Sequence, residues 1–168
     1  MGIKANYLLE KGINFPIEKD RLLGRVIMNL TKHKKIDVVK QMLETALKLY
    51  FKGNDYFSVL HIAGACDEVS GKYLKLTGAE TIVDSNVKAF KLIKKTLSGI
   101  ESSNKDACNI FNSAKNSIKH MNDSDDSIIV MDPKDEAEEM LDRALTNMWR
   151  LDQPITRLME KFFQNKYD

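Results

Sequence analysis

Along one expected helix, Asn109, Asn112, Asn116 and His120 recur at helical spacing, with Ser113 beside them. Solvated helix faces are usually built from Lys and Glu. Three amides and an imidazole on one face form a hydrogen-bonding surface instead. Imidazole titrates near neutral pH, so His120 is the candidate proton donor or acceptor. Lys115, directly before Asn116, supplies a cation. The opposite side reads Ala107, Ile110, Phe111, Ala114, Ile118 and Met121, a core stripe. A plainer role also fits these residues: a polar helix end at a surface or dimer contact.

Other chemistry-bearing residues form weaker patterns. His61 and Glu68 lie on roughly one face of a second helix, with Asp67 adjacent, a pair able to hold a metal or move a proton. A di-iron bundle needs Glu-x-x-His pairs repeated on several helices, and these are absent, so no metal is expected. Asp67 or Glu68 could instead accept hydrogen bonds from Asn116, His120 or a lysine inside the bundle, or stand in solvent. Cys66 and Cys108 read as reduced, packed thiols, and without a nearby His pair they make no zinc site. Walker, Gly-rich dinucleotide and Ser-His-Asp patterns are absent, so no cofactor is expected. The polar stretch 122–127 lacks EF-hand spacing, and Trp149 reads as packing.

The elements that must position these groups are helices. Leu22, Leu23, Val26, Ile27 and Leu30 place a helix over 17–31, and a Lys32-His33-Lys34-Lys35 connection leads to another over 36–51. The least polar helix, about 55–77, is expected to be central. Its Gly64 and Gly71 cost helix propensity and so imply close packing, and Gly78 stops it. Ser85 caps the next helix, with Val87, Phe90, Ile93 and Leu97 facing in and Gly99 at its end. Ser103-Asn104-Lys105-Asp106 resembles a capping box opening the helix that ends near Met121. Ile128-Ile129-Val130-Met131 reads as a short extended segment. Asp132-Pro133 opens a helix over 133–151, whose later Arg143 and Arg150 suit the helix dipole, and Pro154 opens the last helix. The expected fold is all-α: an antiparallel bundle of four core helices with peripheral helices. It forms one domain over 1–168, with the bundle core at about 54–151.

The chain has 168 residues and a net charge of +2, distributed unevenly. Residues 1–60 hold 11 basic and 6 acidic side chains, whereas 123–168 hold 6 and 12. A basic body with an acidic C-terminal quarter fits nucleic acid, self-association or a solvated mosaic. No apolar run is long enough to span a membrane, and a cytoplasmic protein is expected.

At Lys115-Asn116-x-x-x-His120 the sequence resembles the HEPN family, small helical bundles often found as dimers in toxin–antitoxin and antiphage systems. The family's RNase motif is Arg, usually a polar residue, then His four to six residues on. Lys115 stands in the place of that Arg. The likeness runs loosely over 54–150, including Leu60-His61-Ile62-Ala63-Gly64-Ala65 and its acidic follower. The resemblance implies RNA binding without cleavage or metal-independent RNA cleavage, in which an RNA 2′-hydroxyl attacks the adjacent phosphate. His120 would move the proton, Lys115 would balance phosphate charge and Asn116 would position the group. Lys keeps the charge and loses the planar fork of Arg. Lys115 and His120 stand about 140° apart on an ideal helix, so a homodimer pairing two such helices is expected. An antitoxin or other protein partner is expected with it. The competing reading is a non-catalytic helical interaction or structural module, also homodimeric.

Overall fold

A computed structural model describes residues 31–121 and 124–167, with side chains from 126 onward in the second span. The helix expected over 17–31 lies outside the described residues, apart from its last position. The unit Lys34–Asp168 is all-α, with no strand among its described residues. Its helices are α1 (Lys35–Lys52), α2 (Tyr56–Leu76), α3 (Ile82–Ser98), α4 (Asn104–Ser117), α5 (Pro133–Arg150) and α6 (Arg157–Tyr167). A 3-10 turn, Ser124–Ser127, lies between α4 and α5.

α2 is the central helix, as its broad apolar sector implies, and packs chiefly on α5 and α1. Leu43 and Leu47 of α1, Val59, Leu60 and Ala63 of α2, and Leu141 and Ala144 of α5 are fully buried together. Phe162 of α6 closes the core edge-on against Tyr50 at 5.5 Å. Burying such side chains contributes roughly 1.5–3 kcal/mol each, which is what orders a bundle of individually weak helices.

The chain punctuates these helices where its capping residues stand. Asp132 accepts from the Lys134 and Asp135 N–H groups, with Pro133 at the first helical position. Ser103 caps α4 through the Asp106 N–H at 3.0 Å. After α2, Gly78 adopts φ 77°, the left-handed stop that glycine takes without strain.

Three expectations need correction. Thr81, not Ser85, caps α3: Thr81 and Asp84 form a reciprocal capping box, and Ser85 already lies in the first turn. α4 ends at Ser117 rather than near Met121, so His120 lies beyond the helix. On α3 only Val87 is buried; Ile93 and Leu97 stand 56% and 82% exposed. The apolar stripe of α3 is real, but α4 begins at Asn104, which accepts from Lys91 Nζ at 2.7 Å, and Leu92, Ile93 and Leu97 beyond that point stand exposed. Of the segment 128–131, Met131 packs on the core while Val130 is 94% exposed.

Candidate functional site

Gly64, Asp67 and Gly71 fall on one face of α2, and the two glycines make room for what reaches the acid. A Cβ placed on Gly64 would lie 3.4 Å from the Lys115 stem of α4. One on Gly71 would lie 3.4 Å from the Thr81 methyl and 3.8 Å from the Asn147 amide nitrogen. The close approach implied by these glycines is therefore present, and its purpose is polar.

Asp67 is buried at the centre of a network drawn from three helices. Arg143 Nη2 donates to Asp67 Oδ2 at 2.7 Å, and Asn147 Nδ2 donates to Oδ1 at 3.0 Å. Arg143 and Asn147 are four residues apart on α5, so one helix face delivers both donors. The guanidinium also donates to the Phe111 carbonyl and, at 3.0 Å, to Asn112 Oδ1. Asn147 Oδ1 accepts from the Ile82 N–H at 3.1 Å and so ties the start of α3 to α5. Lys115 Nζ lies 3.6 Å from Asp67 and 3.1 Å from Glu68, and Lys119 Nζ lies 3.2 Å from the same Glu68 oxygen. Partial burial raises the Glu68 pKa, but the ammonium groups of Lys115 and Lys119 outweigh it and hold the carboxyl below its ordinary value.

The three residues singled out for RNA chemistry separate in this arrangement. Lys115 is 5% exposed and turned inward to Asp67 and Glu68. Asn116 and His120 are exposed, and neither side chain has a hydrogen-bond or ion-pair partner among the described residues. The backbone N–H of His120 still bonds the Asn116 carbonyl at 3.0 Å, which keeps His120, just past the helix end, one turn from Asn116. The polar stripe itself divides: Asn109 is exposed, whereas Asn112 turns in to Arg143. Ile110, expected in the core stripe, is 52% exposed, so the buried face of α4 is rotated toward Phe111 and Lys115.

Arg143, Asn147 and Lys119 are not among the residues the sequence singles out for the site. Arg143 had read as a helix-dipole complement. Its position beside the stripe Met140, Leu141, Ala144, with Asn147 one turn on, was the available signal. His61 is exposed on α2, and no group of three His, Cys, Asp or Glu able to hold a metal occurs among the described residues. Cys66 is buried and unpaired; burial, reinforced by Asp67, pushes its thiol up to about 12. No described helix is long and apolar enough to cross a membrane. No family model, curated protein or solved structure matches this chain.

Proposed function

We propose that this protein is a HEPN-like module that acts on RNA as a homodimer, cleaving it without a metal. His120 of each copy moves the proton and Asn116 holds the phosphate. The observation that supports this reading is the exposed imidazole with an exposed amide one turn away, neither side chain having a partner among the described residues. Two copies pairing across a two-fold axis would supply two imidazoles, one as base to the 2′-hydroxyl and one as acid to the leaving oxygen. Lys115 then acts from inside: through Asp67 and Glu68 it positions the end of α4 without touching phosphate. A toxin–antitoxin or phage-defence setting in the cytoplasm, with an antitoxin as a further partner, goes with this reading.

The test is incubation of pure protein with RNA in excess EDTA. Wild type should cut, His120→Ala should not cut while keeping its helical melt, and Lys115→Arg should retain cleavage because both carboxylates keep a cation. Cleavage that survives His120→Ala or requires a divalent metal would sink the mechanism. The second reading, a non-catalytic homodimeric interaction module, is favoured by the withdrawal of Lys115 from solvent. A pure wild type that dimerises and cuts no RNA would select it.

A further inference from the structure

A cavity of about 660 Å³ opens between the start of α1, the C-terminal half of α2 and the start of α3. That size falls in the range of roughly 300–1,000 Å³ typical of small-ligand sites. Four lysines border it, Lys35, Lys72, Lys75 and Lys115, against two carboxylates, Asp67 and Glu68. Both carboxylates are already neutralised within the protein, Asp67 by Arg143 and Glu68 by Lys115 and Lys119. Lys75 pairs with Asp84 at 3.3 Å. Lys35 and Lys72 have no ion-pair partner among the described residues, so the uncompensated charge facing the cavity is positive.

The remaining lining restricts the rest of a ligand. Val69, Leu76 and Val83 give an apolar wall, and the half-buried Tyr73 adds a ring whose hydroxyl has no described partner. The floor amides are spent: Asn147 bonds Asp67 and the Ile82 N–H, and Asn112 bonds Arg143 and the Cys108 carbonyl. The free polar groups are thus two ammoniums and a phenol around apolar surface. Asn116 and His120 are not among the described lining residues.

We infer that this cavity binds a small organic anion, a carboxylate or phosphate monoester carried on a flat apolar body. Lys35 and Lys72 hold the anionic head, and Tyr73, Val69 and Val83 meet the body. The cavity shares Lys115 and Glu68 with the network behind the end of α4, but Asn116 and His120 lie outside its described lining, and the test reads ligand binding rather than RNA cleavage.

Calorimetric titration of the full chain tests it, using phenyl phosphate and benzoate as the two head-group arms. Inorganic phosphate controls for charge alone and benzyl alcohol for the body alone. At least one aromatic anion should bind with one-to-one stoichiometry at millimolar concentration or below, and inorganic phosphate and benzyl alcohol should bind more weakly. The Lys35→Ala/Lys72→Ala double variant changes two exposed side chains and should melt as wild type while losing about tenfold or more in affinity. Absence of binding by both aromatic anions would overturn the inference. So would affinity unchanged in the double variant, or inorganic phosphate binding as tightly as phenyl phosphate.

Discussion

Asp67 holds a guanidinium, a primary amide and, at longer range, an ammonium against one buried carboxylate. Removing it leaves Arg143 and Asn147 buried without their acceptor, so Asp67→Ala should destabilise by about 3–5 kcal/mol in urea unfolding. His120→Ala, at an exposed position without a described partner, should stay within about 0.5 kcal/mol of wild type. Equal losses at both positions would remove the division between an inner structural charge network and an outer chemical group. Glu68 adds a pH dependence. Its folded pKa lies below its unfolded one, so the stability it contributes is present above the ordinary carboxylate value and is lost as pH falls through the folded value. Wild type and Glu68→Gln should therefore differ in melting temperature at neutral pH and converge as acidification passes below the ordinary carboxylate range. A gap that widens in acid would reverse the sign. Cys66, its thiol raised by burial, should resist alkylation in the folded protein while Cys108 reacts; mass spectrometry of the labelled chain reads this directly.

At the scale of elements, periodicity and caps carried most of the description. Asp132-Pro133, Ser103, Gly78 and Gly99 mark helix ends because each supplies a specific hydrogen bond or a left-handed turn, both local properties of the chain. Thr81-x-x-Asp84 carried the same kind of signal as Ser103-x-x-Asp106, but Ser85 competed with it in the same turn. Gly64 and Gly71 were legible as close-packing positions, and what packs there was not. A lysine at the margin of an apolar stripe has no local mark showing whether its ammonium turns in or out. That depends on Asp67 and Arg143, which are distant in sequence. The same reason hid Arg143 and Asn147. Replacing Gly64 by Leu would drive a side chain into the Lys115 stem and should cost roughly 1–3 kcal/mol, with the Lys115–Glu68 pair disturbed as well.

At the scale of the whole molecule, the charge asymmetry of the sequence acquires a local explanation at one end. Lys166 of α6 lies 2.9 Å from Glu139 and 3.8 Å from both Glu138 and Asp142, so part of the acidic C-terminal quarter is used to pin α6 to α5. The outward side of α4 meets the segment Ile128 to Met131, where Ile128 and Val130 are exposed beside Ser113 and Ser117. A homodimer formed on that side would cover this apolar surface. Light scattering at micromolar concentration should give twice the 19.2 kDa chain mass, and Val130→Lys should shift it toward the monomer. The measurement that bears most directly on the account is RNA cleavage in EDTA by wild type beside His120→Ala and Lys115→Arg. Cleavage lost in the first variant and kept in the second is the predicted result; cleavage by His120→Ala at the wild-type rate would contradict it.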